Sequence, residues 1–282
     1  MQMDREEGKR KLHLLRKNRL AMVGFFLVGA LMAVAVFGPP ICPYNPLAPD
    51  PVNRLRGPSK SHPFGTDSLG RDILSRVIQG SRISIVIALI AVSISLVPGA
   101  LLGLVSGFYG GKLDESIMRF MDIVLAFPAI LLAIFITAIL GPSLLNTMIA
   151  VGIVYIPHYA RIVRSSVLSL KEQEFVQAVR SVGGSNLRII ALHLFPNTVP
   201  PIIVYATLGL GTAVLQAAAL GFLGLGAQPP TPEWGAMLSE GRQYIQLAPH
   251  VAAFPGLAVF VLVLGFNLFG DGLRDILDPS LR

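Results

Sequence analysis

Between Arg82 and Lys112 the chain reads ISIVIALIAVSISLVPGALLGLVSGFYGG, twenty-nine residues without one Asp, Glu, Lys or Arg. A bilayer core of about 30 Å is crossed by roughly 20 mostly apolar residues in a helix. This stretch is therefore long and apolar enough to span, with a helix expected over about Ile83–Phe108. The rest of the chain repeats the pattern. Of 282 residues, 53% are hydrophobic and 14% charged, and the mean hydropathy is +0.65. Soluble domains average about 25% charged, so too little charge is present to cover a water-exposed surface. The composition excludes an ordinary cytosolic enzyme and points to an all-α integral membrane protein.

Further spans are expected over about Leu20–Phe37, Ile117–Leu140, Leu144–Val163, Thr198–Gly224 and Val251–Gly270. Gly141-Pro142-Ser143 divides the long charge-free gap before Arg161 into a hairpin. The count is six transmembrane helices. The implied organisation is a basic tail (1–19), a first helix (20–38), an external loop (39–80), a five-helix core (81–271) and a C-terminal tail (272–282). An even count places both termini on one side. If that side is cytoplasmic, it carries 16 of the 23 Lys and Arg, and 7 remain outside, as the positive-inside rule requires. The first apolar run exceeds the ~7–15 residues of a signal-peptide core, so it reads as a retained helix.

Gly99, Gly103, Gly107 and Gly111 recur at i+4 spacing, as do Gly209, Ala213, Ala217 and Gly221. Such stripes let helices approach closely, within the bundle or at a subunit interface. Asp122 lies one turn from Arg119, and a snorkelling pair is expected there.

Catalytic and metal signatures are missing. Gly111-Lys112 is followed by Leu113, so no P-loop forms. Five dispersed histidines and the lone Cys42 give neither metal-ligand spacing nor a disulfide. The basic excess sits between apolar runs and suits topology rather than nucleic acid.

The longest polar insert on the basic side, 164–196, holds helical signals. Ser169-Leu170-Lys171-Glu172 fits a capping box, predicting a helix from near Leu170. Phe175, Ala178, Val179 and Val182 then form an apolar stripe, with Gln173, Gln177 and Arg180 on another face. Gly183-Gly184 supplies a left-handed stop, Ser185 caps a second short helix, and Pro196 ends it. Two short helices with an apolar stripe fit a cytoplasmic docking element better than a solvated connector. Arg180 is free to bond an acidic rim on a partner.

Gln177-Ala178-Val179, Gly183 and Phe195-Pro196 resemble the E-A-A-x3-G-x9-I-x-L-P loop of ABC importer permeases. Gln177, Val179, His193 and Phe195 stand where that pattern has Glu, Ala, Ile and Leu. Three longer blocks resemble the dipeptide/oligopeptide/nickel branch of the family: HPFGTDSLGRD at 62–72, GFLGLGAQPPTPEWG at 221–235 and GDGLRD at 270–275. The resemblance implies a type I importer permease in a prokaryotic inner membrane, not itself an enzyme, that translocates peptides or a related small solute by alternating access. It implies pairing with a second homologous permease. Two cytoplasmic ATPase subunits would bind ATP and Mg, with no cofactor in this chain, and an extracytoplasmic binding protein would deliver the substrate. Phe175, Gln177, Ala178, Val179, Arg180, Gly183 and Pro196 are the expected ATPase-coupling residues. The proline-stiffened segment before Glu233 and Trp234 is expected to form an outer rim or gate touching the binding protein, with Trp234 alternatively an interfacial ring. An ion-coupled carrier is the competing reading, with Asp122 as its one candidate membrane acid.

Overall fold

A computed structural model describes residues 18–277. The basic tail residues before Asn18 and the last five residues, whose charges entered the topology count, lie outside the described residues. Nine helices of eight or more residues carry the described fold: α1 Arg19–Phe37, α2 Ile73–Tyr109, α3 Gly111–Leu125, α4 Ala129–Leu140, α5 Leu144–Leu170, α6 Glu174–Ser181, α7 Phe195–Phe222, α8 Trp234–Gly241 and α9 His250–Leu277. Four helical stretches are long and apolar enough to cross a membrane: α1, α2, Asn186–Phe222 (which contains α7) and α9. The bent pair α3–α4 makes five if counted as one span.

Packing centres on α2 against α5. Gly99, Gly103 and Gly107 face α5 so closely that a Cβ on Gly103 would stand 2.5 Å from the Ala160 carbonyl oxygen. The stripe is thus a seam within the chain. Gly111 does not share it: α2 ends at Tyr109, and Gly111, at φ +59, opens α3 with no atom near its absent side chain. The second stripe is also internal, with Gly209 against the Tyr159 hydroxyl and Gly221 against Glu233. On the other flank, α9 packs on α1 and α7, Gly24 meeting the backbone of Leu268 and Phe269.

Among the boundaries that depart from the sequence expectation, three have a plain physical reason. The second helix begins at Ile73 rather than Ile83, because Asp72 caps it by accepting from Ser75 N–H at 2.8 Å. Its 37 residues run about 55 Å, far past a bilayer core. The third span is not one helix: α3 and α4 meet at 88° across Ala126-Phe127-Pro128. Pro128 lacks an N–H and disfavours helical geometry at Phe127, so the turn belongs there. Pro196 terminates nothing. A π-helical stretch, Ile189–Leu194, runs directly into α7, and Pro196 follows that widened turn inside one continuous helical stretch.

Two opposite ends result. One holds α6, the start of α7 and the close of α9. The other holds α8, the segment 39–72 and the α4–α5 turn.

Candidate functional site

At the α6 end the insert is anchored by a residue the stripe reading passed over. Val176 is wholly buried and clusters with Phe108, Val167, Ile189 and Leu194. The sequence does mark it, as an apolar residue one position out of the expected register. Val179 is half-buried beside it, and Ala178 is exposed. Phe175 is 38% exposed, Val182 85% and Leu187 76%. The expected single stripe is therefore two faces: Val176 and Val179 hold the helix to the chain, while Phe175, Ala178 and Val182 face away.

The expected helix start is also displaced. Ser169 is still inside α5, its hydroxyl donating to the Ser165 carbonyl, and α6 starts at Glu174 after Gln173. Its end follows the expectation. Gly183 N–H donates to Arg180 O at 3.0 Å and Gly184 N–H to Val179 O at 2.9 Å, a Schellman pair. Gly183 has φ +80 with open space around it, so only the backbone angle demands glycine there. Ser185 caps the next turn, accepting from Arg188 N–H at 3.4 Å. Arg180 does not stand free: its guanidinium lies 5.6 Å over the Phe108 ring. The Gln177 amide reaches the Glu172 carbonyl at 3.4 Å.

Ion pairs tie α3 to α5 near this end. Arg164 donates through two nitrogens to Asp114, both at 2.6 Å, and Arg161 donates to Asp122 at 2.5 Å. Asp122 thus pairs across helices. The expected Arg119 partner instead stands 3.5 Å from Glu115 one turn away on α3. Helical spacing names local partners, and the fold supplied a remote one.

The α8 end turns its polar groups inward. Trp234 is fully buried, with its indole N–H donating to Val77 O at 3.1 Å. It is neither an interfacial ring nor a surface contact in this conformation. Glu233 is 2% exposed and caps α8, its two oxygens accepting from Gly235 and Ala236 N–H at 2.9 Å each. Burial pushes the Glu233 carboxyl up, partly opposed by those two backbone bonds. Close by, Arg71 bridges Asp67 at 2.6 Å and Glu240 at 2.7 Å. Arg76 stands 3.5 Å from each of the same two carboxylates and donates to Pro46 O at 3.3 Å. Asp67, Arg71 and Arg76 are all buried. The 62–72 block accordingly folds as one unit, with His62 bonded to Asp72 at 2.9 Å and stacked on Tyr44. Sequence reading counted Arg71 and Arg76 as external charges. The interleaving of Asp67, Arg71 and Arg76 at four- and five-residue steps was the available sign of pairing.

Two further hollows lie between α5 and α7. One of about 440 Å³ is lined by Ser166, Ser169, Asn197 and Arg274, and one of about 200 Å³ by Tyr155, His158 and Thr212; Tyr205 lines both.

The comparisons with known proteins agree on a single family. Residues 99–282 match the binding-protein-dependent transport system inner membrane component family, and residues 9–58 match the N-terminal TM domain of oligopeptide transport permease C. The chain is 53% identical over 268 residues to the dipeptide transport system permease protein DppC of Alkalihalophilus pseudofirmus, covering 95% of this chain and 88% of that one. It is 50% identical over 270 residues to the glutathione transport system permease protein GsiD of Escherichia coli O157:H7, with the same coverage. A solved structure of the MetNI methionine ABC transporter in inward facing conformations superposes with a TM-score of 0.59. At 21% identity, covering 72% of this chain and 97% of that one, it speaks to the fold.

Proposed function

This chain belongs to the binding-protein-dependent transport system inner membrane components, and from that premise we propose that it is one permease subunit of an ATP-driven importer of small peptides. The dipeptide and glutathione permeases it resembles supply the substrate class. In this reading six spans cross a prokaryotic inner membrane: the four apolar stretches, the bent pair α3–α4, and α5. At 27 residues, or about 40 Å, α5 is long enough to cross. The excess of Lys and Arg toward the α6 end supports placing that end and both termini in the cytoplasm.

The observation that carries the proposal is the divided surface of α6. Val176 fastens the helix to its own chain, and Phe175, Ala178 and Val182 are left facing outward. An apolar face on a short helix held from behind suits a groove on a cytoplasmic ATPase. The two ATPases bind ATP and Mg, and their closure is transmitted through α6 into the start of α7, rocking the spans between inward and outward states. Gln177 lies on the exposed side and meets the partner as a neutral amide. A second permease completes the path, and a binding protein delivers substrate at the α8 end. Glu233 and Trp234 act there from beneath, holding the gate segment rather than touching the delivered protein.

Cross-linking tests the proposal. With Cys42→Ser as background, a cysteine at Ala178 is expected to link to the candidate ATPase, with a yield that shifts when nucleotide is added. An assembled, membrane-inserted complex that gives no link from position 178 or its exposed neighbours rules out α6 as the coupling element.

A further inference from the structure

Along α7, residues 197, 201, 205, 208, 212, 215, 219 and 222 follow one another at steps of three and four, tracing a single helical face. Every one of them borders a hollow at the chain's surface. The character of the face changes along its length. Toward the α8 end it is apolar, with Leu215, Ala219 and Phe222 lining a groove of about 390 Å³. Toward the α6 end it is polar, and α5 matches it with a stripe of its own. There Tyr155 and His158 stand opposite Thr212, and Ser166 and Ser169 opposite Asn197.

Polar side chains on a lipid-facing surface are costly, so a polar face continued along two long helices argues for contact with water rather than lipid. Among the described residues, Arg274, exposed near the close of α9, is the one formally charged side chain bordering either polar hollow. It comes from the 270–275 block, whose glycines are used for packing: Gly270 seats on Leu208 and Gly272 on Ala21. Asp275 accepts from the Asn18 amide at 2.9 Å, so α1 holds the end of α9 and Arg274 is left bordering the cavity. Tyr205 borders both hollows and marks the waist between them.

We infer that the α5–α7 groove is this chain's half of a water-filled solute path, with Tyr205 at its waist and Arg274 as the group that receives a carboxylate of the passing solute. The inference rests on the importer reading above and narrows its cargo. Hydroxyl, amide and imidazole groups suit the backbone of a short peptide. A fixed cation at the mouth attracts a terminal carboxylate and repels a free divalent metal ion.

The test uses the whole reconstituted transporter with its ATPases and binding protein, in liposomes, on a Cys42→Ser background. Cysteines at Tyr205 and Ser166 are expected to react with a charged, membrane-impermeant thiosulfonate on the order of tenfold faster than cysteines at the exposed apolar positions Phe135 and Phe260, because a thiol reacts as its thiolate and needs water to ionise. Equal rates at all four positions would make the groove lipid-facing and overturn the path. The second arm measures labelled alanyl-alanine taken up per ATP hydrolysed. Losing a charge-assisted partner is expected to lower this ratio at least about tenfold in Arg274→Gln, with Arg274→Lys restoring most of it. An unchanged ratio in Arg274→Gln, even if both rates fall together, assigns Arg274 a structural role and removes it from the path. If the wild-type transporter hydrolyses ATP but accumulates neither alanyl-alanine nor glutathione, the peptide-importer reading itself fails. Wild-type uptake with an insensitive Arg274→Gln sinks only the carboxylate site.

Discussion

The two polar ends of the molecule solve opposite problems. At the α8 end, charged and aromatic residues are buried and satisfied within the chain: Arg71 between two carboxylates, Trp234 on the Val77 carbonyl, Glu233 on two backbone amides. At the α6 end, apolar Phe175, Val182 and Leu187 are exposed, while Val176 is buried and Val179 half-buried against the chain. The first end satisfies these polar groups within one subunit, while Ile41, Val52 and Leu247 around it are exposed. The second has a fixed inner face and an unfinished outer one. Polar-inside and apolar-outside is the reverse of what composition alone would assign to two inserts beside a membrane. The difference is one of which groups are buried: charged and indole groups at the α8 end, a valine anchor at the α6 end.

If that contrast holds, damage at the α8 end should appear in stability and damage at the α6 end in assembly. The largest loss is expected from Arg71→Ala, which leaves Asp67 and Glu240 facing only Arg76. Breaking a buried ion pair by removing one partner costs about 3–5 kcal/mol. Thermal unfolding of the purified chain in detergent should show it, and an unaltered midpoint would mean the network is wet and weak. Val176→Ala should cost less, about 1.5–3 kcal/mol by lost burial, and should loosen α6 enough to be cut faster by protease. Gly183→Ala forces a side chain into the left-handed region at about 1–2 kcal/mol, and the unobstructed space there means no steric addition. The smallest stability change, within about 0.5 kcal/mol, belongs to Val182→Ser, because that side chain already faces solvent. The same variant should nonetheless weaken co-purification of the ATPase. Wild-type co-purification would erase the distinction between the two ends.

Glu233 gives the comparison a pH axis. Its carboxyl is raised by burial, so the folded chain holds that proton more tightly than the unfolded chain. The contribution is present below the ordinary carboxylate range and is lost as pH rises from about 4 toward neutrality. Glu233→Gln removes this titration. The unfolding midpoint of wild type relative to Glu233→Gln should therefore fall over that interval. A flat difference would mean that the fold does not raise the Glu233 pKa.

Much of this architecture is legible in the residues. Charge-free runs mark α1, α2, α7 and α9, and Gly183-Gly184 marks the end of α6. What escaped shares one physical cause: the deciding partner is far away in sequence. Ser169 is a local exception: it looks like a cap, but α5 continues through it and its hydroxyl bonds Ser165. Asp122 looks paired to Arg119 until Arg161 arrives from α5. Arg71 and Arg76 look exposed because nothing local reveals Glu240, which folds back from more than 160 residues away. Pro128 is different, since a proline after Phe127 is a local breaker, but the apolar run around it hid the turn. At the candidate docking helix, composition located the element, and only packing separated its anchored face from its open one.

The burial of Trp234 has a spectroscopic consequence. It is the one tryptophan of the chain, sealed from water beneath α8 with its N–H held by a backbone carbonyl. In the purified subunit, tryptophan emission therefore originates from this cap alone. It should be blue-shifted and shielded from aqueous quenchers. Any motion that opens the α8 end to solvent will redden it, while events confined to α6, at the other end of the chain, will leave it unchanged.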